Sequence, residues 1–300
     1  MGSPGSAALF VGVAAVACGG DTRHYMTIDA PGPDAERFDA AHVDAPADAR
    51  VDAPPDAPPV PSHLLLTEVE LGSDGAQFIE LMNPTTAPIS LDGYFLSNNG
   101  EYWKTPLGSA GYTVGNGDFV VRFTGSGSDG TIASGQVMVV AVSTAQAFGD
   151  FSGGVVPTFS IADRTVATVF GNGSAAVLAA TGTAIALFAW DGSAATVQDV
   201  DLMTVGQPLA ANAFVSKSGM AQGSGAYKTE ANTLPMQAAT PPSGKSTQRQ
   251  LLEATHEVQN GQGNGITGHD ETSEDTTITW DGPSFAAHPT PGTVPAQLLP

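Results

Sequence analysis

The chain has 300 residues with 36 Gly and 22 Pro, 41% hydrophobic and 13% charged. Enough apolar residues are present for a real core, but turn-formers this frequent exclude a body built on long helices, and an all-β domain of about 200–250 residues plus a tail fits. The formal net charge of -20, with only ten Lys and Arg, argues against sequence-independent nucleic-acid binding, which needs cations to displace counterions from phosphate. It suits a self-repelling exported surface.

Residues 7–17 (AALFVGVAAVA) form an apolar run that ends in small residues. At about eleven residues it is too short for a spanning helix and reads as an export signal. Cys18 follows at once and is the only cysteine, so no intramolecular disulfide can form. The context Ala15-Val16-Ala17-Cys18-Gly19-Gly20 resembles the lipobox of bacterial lipoproteins, where cleavage before the cysteine leaves it as the acylated N-terminus. The resemblance implies lipid attachment at Cys18 and a place in the cell envelope, as an outer-membrane lipoprotein. Buried acyl chains at about 0.8 kcal/mol per CH₂ would make that attachment permanent. Ala stands three positions before Cys18, where Leu is usual, and residues 1–6 carry no Lys or Arg. The alternative is an ordinary cleaved signal with an incidental cysteine.

From Cys18 to Ser62 the chain is dominated by Asp, Ala and Pro, with the tetrapeptides DAPA-DARV-DAPP-DAPP at residues 44–59. Too little apolar surface is available to offset the entropy of ordering, so this segment is expected to be a disordered tether. About 44 residues would reach about 40 Å as a coil and about 130 Å in polyproline geometry.

Residues 64–96 (LLLTEVELGSDGAQFIELMNPTTAPISLDGYFL) alternate short β-favouring runs with turn chemistry at Gly72-Ser73-Asp74-Gly75, Asn83-Pro84 and Asp92-Gly93. A strand ending at Glu68, then Phe78-Ile79-Glu80-Leu81-x-Asn83, then Ile89-x-Leu91-x-Gly93-x-x-Leu96, resembles the opening of the lamin-tail domain family. The resemblance implies an immunoglobulin-like β-sandwich and an interaction domain. Further strands are expected at 119–123 and 137–142, a short helix at 143–148 capped by Ser143, and a strand at 165–170. The strongest hairpin signal is 184–190, Asp191-Gly192, then 195–203, with a type I′ turn. A late strand, an Asp-Gly turn and a return strand carrying Val200-Asp201 also resemble the family. So do the closing Ser246-Thr247-Gln248-Arg249 and Pro291-Gly292. Residues 210–244 read as extended loop, and insertions are placed at 99–118, 124–135 and 206–242. The implied organisation is a signal at 1–17, a lipidated tether at 18–62, the sandwich at 63–293 and a tail at 294–300.

Candidate chemistry is sparse. Gly244-Lys245-Ser246 imitates the end of a phosphate loop, but Ala239 stands where its first glycine belongs and Pro241-Pro242 remove donors. His24 and His42 fall in the segment expected to be disordered, His256, His269 and His288 show no close metal spacing, and no Gly-x-Ser-x-Gly elbow occurs. Asp270, Glu271, Glu274 and Asp275 follow Gly261, Gly263, Gly265 and Gly268 in a loop that could offer Ca²⁺ its oxygens. A solvated acidic loop is the favoured reading. Asp74 and Asp129 are expected as turn-formers. Glu68 and Glu80 are expected to be structural, with Glu80 and Asn83 fixing the Asn-Pro corner. Trp103, Trp190 and Trp280 are expected to pack rather than to form a carbohydrate platform.

The expected function is a membrane-anchored lipoprotein displaying an all-β, lamin-tail-like sandwich as a non-catalytic binding or structural module. No catalytic residue, metal or cofactor is assigned. The expected partners are the membrane, through the N-terminal lipid, and a protein or polysaccharide, with no nucleic acid. The rival is a secreted metal-dependent hydrolase, whose mark would be Asp270, Glu271 or His269 converging with another carboxylate or histidine.

Overall fold

The computed structural model describes residues 62–299 except 73–74, 125–129, 180–181, 207–214, 216, 231–237, 239, 243, 254–255, 258–262 and 282–288. The signal, Cys18, the tether, Asp74, Asp129, His24, His42, His288 and Gly261 lie outside the described residues.

In chain order the strands are β1 (Leu65–Glu70), β2 (Phe78–Met82), β3 (Ile89–Ser90), β4 (Tyr94–Ser97), β5 (Phe119–Arg122), β6 (Thr131–Ile132) and β7 (Val137–Ala141). After helix α1 (Ala145–Ser152) come β8 (Phe159–Ser160), β9 (Ala167–Gly171), β10 (Thr183–Ala189), β11 (Gln198–Val205), β12 (Ala221–Gln222), β13 (Gly225–Ala226) and β14 (Ser246–Gln248). One five-stranded sheet runs β14-β1-β2-β7-β8 and the other β11-β10-β4-β5-β9, while β3-β6 and β12-β13 form small two-stranded ladders. All pairings in the large sheets are antiparallel except β7 with β8. The fold is an all-β, immunoglobulin-like sandwich.

Period-2 alternation sends Leu66, Ile79, Leu81 and Val140 of the first sheet to meet Leu96, Val121, Leu187 and Met203 of the second. The outer faces are covered too. Phe78, Val139 and Ala141 pack under Phe148 of α1, with Phe78 and Phe148 edge to face at 5.6 Å. Phe95, Ala186 and Phe188 pack under Tyr102 and Trp103 of the 3₁₀ segment Tyr102–Ala110. β1 is buried at every position, its Glu68 being met by Thr290 of the closing segment, a pattern that simple alternation does not predict.

Three local expectations are corrected. The helix is capped one residue later than expected and runs on to Ser152, because Ser143 Oγ donates to the Gly75 carbonyl at 3.1 Å and the Thr144 hydroxyl caps Ala147 N at 3.2 Å instead. The hairpin does not turn in two residues. Asp191 Oδ1 accepts from Ser193 N and Ala194 N, Trp190 Nε1 donates to the Ala194 carbonyl, and β11 starts only at Gln198. The stretch expected as loop at 210–244 contributes the β12-β13 ladder and buries Lys217 and Tyr227.

Candidate functional site

The site is organised by β11. Its register against β10 shifts between Leu187 and Phe188, which pair with Asp201 and Asp199. One extra residue therefore separates the two aspartates, as in a β-bulge. Val200 joins the sandwich core and Asp201 is buried against β1, while Asp199 opposes Phe188 on the outer face. Two carboxylates from one strand thus serve two separate interiors.

On the inner side, Asp201 Oδ2 accepts from Leu66 N at 2.6 Å, and both its oxygens take Arg249 Nη2 at 2.9 and 2.8 Å. Arg249 is wholly buried; its Nε donates to the Leu66 carbonyl at 2.8 Å, its Nη1 to Glu274 at 2.6 Å, and its guanidinium lies 5.1 Å from the Trp280 ring. The planar fork suits this bidentate work in a way a lysine could not. Arg249 follows β14 and bridges to Trp280, so one cation ties β1, β11 and the closing segment together. Burial pushes the Asp201 and Glu274 carboxyls up while Arg249 opposes it.

Beside this pair, His63 Nε2 lies 2.9 Å from Glu253 Oε1, with His63 Nδ1 at 3.0 Å from the Leu64 carbonyl. Burial alone would lower this imidazole, but Glu253 raises it to about 9. His269 Nδ1 is 2.8 Å from Glu257. Both carboxylate oxygens of Glu271 are buried without a hydrogen bond among the described residues, and burial followed by Glu253 and Glu257 raises this carboxyl well above its usual range. Ligand atoms of His63, His269 and Glu271 lie within 4.8 Å of one another, as do those of Asp201, Glu253 and Glu271. Nitrogen and carboxylate donors at this spacing are what a divalent cation such as Zn²⁺ takes.

The acidic loop is therefore not solvated. Asp270 and Asp275 cap short helical turns, accepting from Thr272 N and Thr277 N, while Glu271 and Glu274 point into the interior. The glycines before it allow a close fold-back: a Cβ at Gly263 would sit 1.8 Å from the His269 carbonyl oxygen.

On the outer side, Lys217 Nζ lies 2.7 Å from Asp199 Oδ2 and 3.0 Å from Glu230 Oε2, all three side chains being at most 3% exposed. Tyr102 OH donates to Asp199 Oδ1 at 2.6 Å and accepts from Lys217 Nζ at 3.2 Å. Asn264 Nδ2 holds the second Glu230 oxygen. Burial opposes charge on Lys217, but Asp199 and Glu230 raise its pKa; burial also raises Glu230, with Lys217 opposing. Phe188 and Tyr227 close the wall around Tyr102 and Trp103.

Glu68 and Glu80 face each other across β1 and β2. Glu68 accepts from Ser246 Oγ, Gln248 Nε2 and Thr290 N. Glu80 does not fix the Asn-Pro corner as expected. It accepts from Thr67 Oγ1 at 2.9 Å and Gly292 N at 2.7 Å, whereas Asn83 alone makes the corner, through Nδ2 to the Ala87 and Ile132 carbonyls and Oδ1 from Thr85 N. The three tryptophans do not form one platform: Trp103 and Trp190 belong to the outer layer of the second sheet and Trp280 to the inner core. His256 is a turn residue, its N bonded to the Glu253 carbonyl.

Lys217, Glu230, His63 and Glu253 were missed from sequence. The available signal was the Asp-x-Asp of β11 in an apolar run, which demands cations in a chain with few of them. A separate groove of about 1250 Å³, lined among others by Leu71, Gln77, Phe119, Val142, Ile161 and Arg164, opens at the end of the sandwich. Arg164 holds a left-handed backbone (φ 60°) there.

A crystal structure of a DUF4876 family protein from Bacteroides thetaiotaomicron is similar over 78% of this chain and 75% of that one, at 13% identity and a TM-score of 0.39. No protein of curated function matches. Residues 57–201 match the Lamin Tail Domain family, a span from before β1 to the inward aspartate of β11; the chain carries a lamin-tail domain.

Proposed function

We propose that this protein is an exported lipoprotein, acylated at Cys18 and held on an Asp/Ala/Pro tether, that displays its lamin-tail sandwich as a non-catalytic binding and structural module. One observation carries the display reading. The chain enters the fold through β1, and its closing segment returns to that same edge: β14 pairs with β1, and Glu68 and Glu80 bond Thr290 and Gly292. Entry and exit share one edge, and the groove lined by Leu71, Phe119, Val142 and Ile161 is the surface offered to a partner. The buried carboxylates hold strands together, which is a structural use of charge.

Mass spectrometry of the mature N-terminus, with membrane fractionation of wild type and Cys18→Ala, tests the anchor. An acylated Cys18 in the membrane fraction, lost in the variant, is expected. An unmodified, fully soluble wild-type protein overturns the lipoprotein reading.

The second reading, a metal-dependent hydrolase, is favoured by the convergence of His63, His269 and Glu271. Burial weighs against it, since His63 and Glu271 are at most 2% exposed and a substrate must reach a hydrolytic metal at an open position. Assay of ester and phosphodiester probes with Zn²⁺, Mn²⁺ or Ca²⁺ decides between them. Turnover that disappears in Glu271→Gln would replace the non-catalytic reading.

A further inference from the structure

We propose that Lys217 and Asp199 are joined by an intramolecular isopeptide bond, formed autocatalytically with Glu230 as the proton carrier. The chemistry requires an amine, a carboxyl group and a proton shuttle enclosed together away from water. All three are present. Lys217 Nζ lies 2.7 Å from Asp199 Oδ2, the carboxyl carbon is one bond further, and Glu230 Oε2 is 3.0 Å from the same nitrogen. Apart from this ammonium, Asp199 Oδ2 has no hydrogen-bond partner among the described residues, so the amine is the one polar group set against that oxygen. Reacting groups held at contact distance gain the largest part of their advantage from lost translational freedom.

Each step balances. The reaction starts from the neutral pair, reached when the ammonium passes one proton to Asp199 Oδ2; Asp199 and Glu230 oppose this transfer and burial favours it. The free amine attacks Asp199 Cγ and an Nζ–Cγ bond forms. Negative charge grows on Oδ1, where Tyr102 OH already donates at 2.6 Å and stabilises the oxyanion. The Glu230 carboxylate removes one proton from the nitrogen and delivers it to the Oδ2 hydroxyl. The Cγ–Oδ2 bond breaks and one water leaves. The product is a secondary amide, and no oxidant or other reactant is consumed.

Positioning residues complete the site. Asn264 Nδ2 holds the far oxygen of Glu230, and Asn264 Oδ1 accepts from Lys228 N at 2.8 Å. Asp199 is fixed by its own backbone, its N donating to the Asn264 carbonyl at 3.0 Å and its carbonyl accepting from Ile266 N at 2.6 Å. Tyr102, Phe188, Trp103 and Tyr227 supply the aromatic enclosure. The neighbouring Arg249 centre has the same ionic logic but no path to this product, since a guanidinium stays protonated and is a poor nucleophile. With one cysteine in the whole chain, an amide between side chains is the covalent brace this sequence can build.

Tryptic mapping of the denatured full-length protein tests the bond. Trypsin should fail to cut at Lys217 and should release residues 165–228 as one fragment lighter by the mass of one water. Asp199→Asn should give a cross-linked fragment of the identical mass, because ammonia leaves in place of water. Glu230→Gln should restore cleavage at Lys217 and the full mass. Separate wild-type fragments 165–217 and 218–228 at full mass would overturn the proposal, and a bond that survives in Glu230→Gln would overturn the role given to Glu230.

Discussion

The two ionic centres fed by β11 differ in how charge is balanced. At the Lys217 centre one ammonium faces two carboxylates and a phenol, all within direct contact. At the Arg249 centre one guanidinium and two imidazoles face Asp201, Glu253, Glu257, Glu271 and Glu274. The first is a compact, closed arrangement suited to one permanent contact. The second keeps an excess of acid in the interior and spends Arg249 on backbone as well as carboxylate, so it works as a clasp between chain segments. A buried ion pair is not stabilising merely by existing, but breaking one is costly because the orphaned charge stays in the low-dielectric interior.

Arg249→Met breaks the comparison at its heaviest point, leaving Asp201 and Glu274 without their cation and the Leu66 carbonyl without a donor. Urea unfolding at pH 7 should show a loss of about 3–5 kcal/mol. Lys217→Arg sharpens the contrast, because it keeps the charge, removes the condensable amine and overfills a closed pocket. A loss of about 1–3 kcal/mol from crowding is expected in the same assay, and trypsin should then cut at position 217.

Glu80 tests burial of an acid without any cation. Burial raises its carboxyl from 4.5 to about 8, with Gly292 N opposing and Glu68 adding to the rise. The folded state therefore holds a proton that the unfolded state gives up, and stability falls as pH rises from about 4.5 to about 8. Glu80→Gln should flatten that slope, read as unfolding midpoints at pH 5, 6.5 and 8; an unchanged slope would assign it to other groups. The smallest effect belongs to the surface. Arg122 and Asp92 meet at 3.0 Å with 49% and 84% of their side chains exposed, and Arg122→Ala should cost less than about 1 kcal/mol, shrinking with salt.

Much of the sandwich was legible. Alternating runs around Phe78–Met82, the apolar 137–142 stretch and the Ser246–Gln248 closing strand all lie where their residues place them, since strand and turn preferences act over a few residues. The two-residue hairpin at Asp191-Gly192 failed for an equally local reason, as the Asp191 side chain captures backbone donors that a type I′ turn would have left to the ladder. The site was much less readable. Asp270, Glu271, Glu274 and Asp275 look like any solvated acidic loop until the strands they pack against are known.

By itself the amino-acid sequence determined the all-β class, the order of the main strands, the absence of an intramolecular disulfide and the lamin-tail character of the opening sheet. Each of these follows from residue type and short-range spacing. The tertiary structure alone decided which acids are buried and with whom. Leu66 and Asp201 meet across 135 residues and Arg249 reaches Leu66 across 183. A single bulge residue determines which face of the sheet Asp199 serves. Such pairings are set by register and packing, where a shift of one position reverses every side chain, and no local preference encodes that choice.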